Sequence, residues 1–419
     1  MDEQVENNLI QQFAGPVLFN YVWWILREAQ AKGIDTLYFL SRDGYLLREI
    51  AVSFCERFHL GIACKYLYCS RASLRMPTYH LIGDEAYELL LAGGYQVTLR
   101  SLLQRVELEH GQRLQIYKEC GIKIADENRL LSPKELRDVQ KLLRGSKAYC
   151  SFVEFKSKAA YQTTIGYLRQ QGLLSRKTIA VVDSGWMGSM QRSLRQLLDA
   201  AGFSGELIGF YFGIYAAPKE PKDGTFLAWY FNPKAKNVRK ALFCNNLFEC
   251  MLSAPHGMTV GYQDINGIYE PIMIGEPDNK ESRQIIDYIN NICRYTKKRL
   301  LNLKFENFQE SDLIRDTKKR VFRYMAWPKQ NEVDYYGHIF FCDDITEAYK
   351  LSLANSTQLE ALKGNLIPVR IWHRMLSKRT PHVPELYWPY GTMAFLPKWK
   401  RVWYWLNVFV WELIRHWLQ

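Results

Sequence analysis

Residues 36–40 (TLYFL) make a short β-prone apolar run that breaks at Ser41-Arg42-Asp43-Gly44 and passes at once into a helical pattern over 45–58 (YLLREIAVSFCERF). This strand, loop, helix unit constrains the fold more than any other local feature, because it recurs. Residues 64–69 (CKYLYC) read as a second strand ending at Ser70-Arg71. Residues 178–183 (TIAVVD) read as a third, turning through Ser184–Ser189 into a helix that starts near Met190. Further strand-like runs follow at 207–215, 227–231 and 258–263. An amphipathic helix over 16–32, closed by Gly33 as a C-cap, precedes the first strand. The pattern predicts an α/β fold with a parallel sheet, and in such sheets ligands bind at the carboxyl ends of the strands.

The remainder of the chain sets the expected organisation. Residues 84–172 read as mostly helical, punctuated by Gly93-Gly94, Gly111, Pro133 and Gly145, and carry no obvious chemistry. A basic helical region spans about 281–325. The expected division is therefore 1–83 as the first half of an α/β core, 84–175 as a helical insertion or cap, 176–275 as the second half, 276–397 as a helical region with loops, and 398–419 as an amphipathic helix. That last segment (KWKRVWYWLNVFVWELIRHWLQ) holds five tryptophans between basic ends. Its longest apolar stretch, Val402–Trp411, is about half of the roughly 20 residues that cross a bilayer. An interfacial helix on an anionic membrane surface fits it better, with packing on the protein's own core as the alternative.

With 419 residues, 48% of them hydrophobic, the chain can bury a large core in two or three units. A formal net charge of +12 calls for an anionic partner, whether nucleic acid, membrane or a phosphorylated substrate. No helix with spaced base-reading arginines and no RNA-binding signature occurs, so nucleic acid is not expected. Nine cysteines without a CxxC pair, and no recognisable secretory leader ahead of them, give the expectation of reduced thiols in a cytoplasm.

Two loops carry the expected chemistry. Asp183–Ser189 joins a strand to a helix through Gly185 and Gly188, so backbone N–H groups, the Ser184 and Ser189 hydroxyls and a helix N-terminus would converge on one anion. Asp183 would hold ribose hydroxyls or a magnesium ion. Ser41–Gly44 adds a cation: Arg42 with backbone amides would clamp a pyrophosphate, while Asp43 positions a hydroxyl or metal. Plain structural turns and a surface ion pair are the bland readings of the same residues.

Taken together, YFLSRDGYLL (38–47), YLYCSRASLR (66–75), VVDSGWMGSMQ (181–191), LSAPHG (252–257) and YWPYGT (387–392) resemble the bacterial polysaccharide phosphoribosyl-glycan transferases. Those are type I phosphoribosyltransferase-like proteins, often described as haloacid-dehalogenase-like. The resemblance implies transfer of ribofuranose 5-phosphate from phosphoribosyl pyrophosphate (PRPP) to a sugar hydroxyl of a surface glycan of O-antigen or capsule type. Mg2+ would be the cofactor, a lipid-linked glycan the acceptor, and a separate phosphatase would remove the 5-phosphate. The protein would lie peripherally on the inner face of the cell membrane. The chain departs from the nucleotide-pathway enzymes of that fold in having Ser184 where a second acidic residue is expected.

In this reading Arg42, Ser41, Gly44, Ser70 and Arg71 serve the pyrophosphate, and Asp183, Ser184, Gly185, Trp186, Met187, Gly188 and Ser189 the ribose 5-phosphate. Asp43 is the first candidate for the base, Glu249 the second, with His256 nearby on the substrate side. Trp186, Tyr211, Trp388 and Tyr390 are candidates for an acceptor-sugar platform or, equally, core aromatics. Two other readings remain: a phosphatase relative in which Ser41 stands in place of the nucleophilic aspartate, and a non-catalytic membrane-associated scaffold of glycan assembly.

Overall fold

The computed structural model describes residues 3–93, 97–216, 223–274, 280–301, 303–337, 340–341, 351–376 and 386–418. Helix α1 (Gly15–Ala31) enters first and ends at Gly33, whose φ of +66° supplies the left-handed turn expected of a C-cap. Most of its length is enclosed, with Val17, Leu18, Phe19, Tyr21, Val22, Trp23, Ile25 and Leu26 all buried, and only its last turns, from Arg27, reach solvent.

Strand β1 (Thr36–Leu40) follows, then α2 (Asp43–Phe58), β2 (Ala63–Leu67), α3 (Lys147–Gln170), β3 (Thr178–Trp186), α4 (Ser189–Ala200), β4 (Glu206–Ile214) and β5 (Thr225–Phe231). The five strands form one all-parallel sheet in the order β2-β1-β3-β4-β5. A parallel sheet is covered on both faces, and this explains why the strands read as unbroken apolar runs rather than alternating ones. Their side chains still divide by pleat. Leu37, Phe39, Ala180, Val182, Phe210 and Phe212 enter the larger core under α1 and α2, whereas Tyr38, Leu40, Ile179, Val181 and Leu207 enter the core under α3 and α4.

The chain leaves β1 on one side for β2 and returns on its other side as β3. The strand order therefore reverses at the β1/β3 boundary, and a crevice opens there at the carboxyl ends of the strands.

Between β2 and β3 the expected helical stretch is observed, and it builds a separate apolar cluster around Tyr79, Leu90, Leu103, Ile116, Leu143 and Tyr149. Beyond the sheet come α5 (Asn245–Met251), an antiparallel hairpin of β6 (Met258–Ile265) and β7 (Ile268–Ile274), helices at Lys280–Leu300 and Glu310–Val321, and finally α6 (Lys398–Leu418). The expected boundary at 275/276 and the final residue 419 fall outside the described residues.

Helix α6 packs on the core with one face, as the alternative reading expected, and leaves the other exposed. Tyr404, Trp405 and Val408 pack on the main core, and the Trp405 Nε1–H donates to the Ala326 carbonyl at 2.9 Å. Trp399, Val402, Trp403, Leu406, Val410, Ile414 and Trp417 stay exposed.

One sequence expectation needs correction. Ser184–Trp186 are not a loop: β3 continues through them, with Gly185 paired to Gly213 and Trp186 to Ile214 of β4. The turn into α4 is reduced to Met187-Gly188, because strand pairing captures backbone that the glycines had suggested would leave the sheet.

Candidate functional site

The chain exits β1 through Ser41 and Arg42, and Asp43 is already the first residue of α2. So abrupt a turn forces Arg42 to φ +62°, ψ −71°, a conformation few non-glycine residues adopt. Gly44 makes it possible, since a Cβ there would lie 2.7 Å from the Phe39 carbonyl carbon. Its contribution is close packing; it does not line the cavity described below.

Tyr66, on the neighbouring strand β2, holds this turn. Its Oη accepts from the Arg42 N–H at 3.0 Å, lies 3.1 Å from Ser41 Oγ and 2.7 Å from His256 Nε2. His256 Nδ1 lies 2.9 Å from the Gly257 carbonyl, which only accepts, so the ring proton sits on Nδ1. Tyr66 then donates to Nε2, and Ser41 donates to Tyr66. Burial holds the His256 pKa below its ordinary value, with the nearby Arg42 charge acting in the same direction, so the ring is neutral as this network requires. His256 thus supports the Arg42 turn from behind and is not among the cavity-lining residues.

At the end of β2, Ser70 caps the short helix Arg71–Arg75. Its Oγ accepts from the Ser73 N–H at 3.1 Å and donates to the Thr259 carbonyl at 2.6 Å. The Ser70 hydroxyl is therefore committed to local structure, while Arg71 beside it turns its charge toward Asp43 and Asp183.

From β3 come the buried Asp183 and Ser184, and the Ser184 Oγ donates to Asp43 Oδ2 across the β1/β3 crevice. The Tyr21 hydroxyl of α1 donates to the Asp183 carbonyl at 2.8 Å and fixes this backbone from beneath. Gly185, at φ +119°, has no room for a side chain: a Cβ would meet the Gly213 carbonyl oxygen at 2.3 Å. Trp186, also at positive φ, donates its Nε1–H to Glu249 of α5. Helix α4 begins at Ser189 with Gly188 as its N-cap and no side-chain cap, so its first N–H groups face the same space.

These pieces surround one cavity of about 280 Å³, lined by Ser41, Arg42, Asp43, Ser70, Arg71 and Asp183 through Met190, with Tyr211, Asn245 and Glu249 completing the wall. Both loops singled out from the sequence, more than 130 residues apart, open into it. Trp186 and Tyr211 of the proposed platform line it. Trp388 does not: it is buried, and its Nε1–H donates to the Met325 carbonyl at 2.7 Å. Tyr390 donates its hydroxyl to the Ala241 carbonyl at 2.8 Å and faces a different cavity.

Tyr66 and Asn245 are polar residues of the site that were not anticipated, beside the wall residues Cys69, Ala72, Met190 and Met258. Tyr66 acts from one layer behind the wall. Asn245 lies four residues before Glu249, a spacing that sets both on one helical face and would have identified it once Glu249 was chosen.

The electrostatics are those of charges confined together. Burial and then repulsion from Asp43 push the Asp183 carboxyl up to about 8. Burial also raises Asp43, against the stabilising pull of Ser184, Arg42 and Arg71. Two crowded carboxylates that resist joint ionisation are relieved by a divalent cation. Mg2+ commonly takes only one or two protein carboxylates, together with substrate phosphates and water. Asp183, crowded by Asp43, is the carboxylate such an ion would take; among the described residues there is no cluster of three or more potential ligands. Neither protein-family models nor curated protein sequences give a match to this chain.

Proposed function

We propose that the protein transfers ribose 5-phosphate from PRPP to a sugar hydroxyl of a glycan, within a type I phosphoribosyltransferase-like core. The observation that carries this reading is the convergence of the Arg42 turn, Arg71 and the Asp183–Met190 segment on one cavity. A donor with a diphosphate at one end and a phosphate at the other needs two anion-binding edges, and the Arg42 turn and α4 N-terminus at the β1/β3 crevice support such a division.

In this reading the Arg42 and Arg71 guanidinium groups and the α2 N-terminus at Asp43 hold the pyrophosphate. The α4 N-terminus with Gly188 and Ser189 holds the 5-phosphate, and Asp183 faces the ribose. Asp183 would hold Mg2+, which when bound neutralises charge on the leaving diphosphate. The acceptor hydroxyl oxygen forms a bond to the ribose C1 as the C1–O bond to pyrophosphate breaks, through an oxocarbenium-like transition state. The two arginines stabilise the negative charge that develops on the departing oxygen. The acceptor proton passes to a carboxylate. Asp43 is favoured because Ser184, Arg42 and Arg71 support its ionised form against the burial that raises its pKa. Glu249, across the cavity beside Trp186, is the second candidate.

No described helix is long and apolar enough to cross a membrane. The exposed apolar face of α6, between basic ends, supports a peripheral position on an anionic membrane, where a lipid-linked acceptor would be met.

The test is incubation of the purified protein with PRPP, Mg2+ and synthetic or lipid-linked glycans, read by mass spectrometry for an added pentose phosphate. Transfer that is lost in both Arg42→Ala and Asp183→Ala supports the reading. Magnesium-independent inertness toward PRPP would instead favour the scaffold.

A further inference from the structure

A second cavity of about 220 Å³ lies between α5 and α6 and shares Asn245 with the first. Its polar wall comprises Asn245, Asn246, Glu412 and Arg415, and Phe243 and Tyr390 supply aromatic surface. The polar groups are already arranged in relation to one another. Asn245 Nδ2 donates to Asn246 Oδ1 at 2.9 Å, Asn246 Nδ2 donates to the Tyr387 carbonyl at 3.0 Å, and Arg415 pairs with Glu412 at 2.5 Å.

We infer that this second cavity binds a neutral sugar unit of the acceptor glycan and presents the glycan's next hydroxyl past Asn245 to the first cavity. Three features select that ligand class. Glu412 is balanced within the protein by Arg415 at 2.5 Å and by the nearby Arg370, so a cation finds no unbalanced carboxylate there. Carboxylate, guanidinium and amide groups offer paired acceptors and donors, which match vicinal hydroxyls that both donate and accept. Aromatic surface covers the apolar C–H face of a pyranose.

Position fits the same role. Glu249 lies one turn beyond Asn245 on α5 and faces the first cavity, so the shared asparagine stands between the two. Val408, Glu412 and Arg415 occupy the side of α6 opposite its exposed apolar stripe, so a glycan whose lipid lay along the outer face would meet this cavity just behind the helix.

The role as acceptor subsite rests on the transferase reading, but sugar binding is measurable without it. Wild-type protein is titrated by calorimetry and saturation-transfer NMR with the methyl glycosides of glucose, galactose and rhamnose, and separately with Mg2+ and PRPP. The expected result is saturable binding of at least one glycoside, weakened roughly tenfold or more in both Glu412→Gln and Asn246→Ala. In Asp183→Asn, altered in the other cavity, glycoside affinity should stay near wild type. Absence of glycoside binding in the wild type, or wild-type binding in both α6 and α5 variants, overturns the sugar site. Glycoside binding without any PRPP binding leaves the sugar site standing and removes the transferase reading.

Discussion

Asp183 is the residue where function and stability are most opposed. In the unfolded chain an aspartate loses its proton near 3.8, whereas burial and Asp43 hold this one protonated up to about 8. The folded state therefore binds more protons between those values, and stability falls as pH rises through that window. Asp183→Asn removes the penalty without changing shape. Its Tm advantage over wild type should grow by roughly 3 °C or more between pH 5 and pH 9, while transfer activity is abolished. The same Tm difference at both pH values, read by calorimetry, would show that the carboxyl ionises freely. Tyr66 makes the complementary case, a side chain that touches no substrate but holds the peptide of one that does. Tyr66→Phe removes the acceptor for the Arg42 N–H and the partners of Ser41 and His256. A loss of about 1 kcal/mol in stability and roughly tenfold in kcat/KM for PRPP is expected, with KM for the glycan unchanged. Were both KM values to rise together, a general loosening of the fold would be indicated. Arg42, Asp43, Asp183 and Glu249 were legible in the sequence because they are charged residues at strand ends or on a helix beside a turn. Tyr66 was not, because a tyrosine in CKYLYC is indistinguishable from a core aromatic until the strand order places it beside Ser41.

The elements were read with uneven success, and the reason lies in what each depends on. Residues 36–40 form a strand over the expected span because the apolar run is bounded on both sides by turn chemistry. Strand β3 runs three residues further than expected because Gly185 and Trp186 pair with β4, a long-range contact with no local signature. The same limit applies to α6, whose periodicity showed an amphipathic helix but not which apolar residues the core would take. The structure gives the inner face Trp405 and Val408 and leaves Trp403 and Leu406 outside. Replacing Trp403 and Leu406 with glutamate should reduce partition onto phosphatidylglycerol-containing vesicles by roughly tenfold or more, since each large apolar side chain contributes about 1.5–3 kcal/mol when buried. Activity on a water-soluble acceptor should persist. If vesicle co-sedimentation were undiminished, the outer stripe would have another purpose.

At the scale of the whole molecule, the order β2-β1-β3-β4-β5 is what gives the distant loops a common purpose. Neither the Arg42 turn nor the Asp183 segment is an unusual motif alone. Their meaning comes from β1 and β3 being neighbours, so that an insertion of more than 100 residues between β2 and β3 leaves both chain exits on one edge. In the proposed reading this arrangement would divide the donor between two halves of the chain, so the halves should be separable by ligand. Pyrophosphate with Mg2+ should slow amide hydrogen exchange at 41–45 and 70–73, and leave 187–191 little changed. Ribose 5-phosphate should do the reverse, and PRPP with Mg2+ should protect both sets and raise Tm more than either fragment, because one molecule then bridges the crevice. If PRPP protected only one set, the two edges would not be gripping a single donor, and the shared cavity would have to be assigned to a smaller, singly phosphorylated ligand.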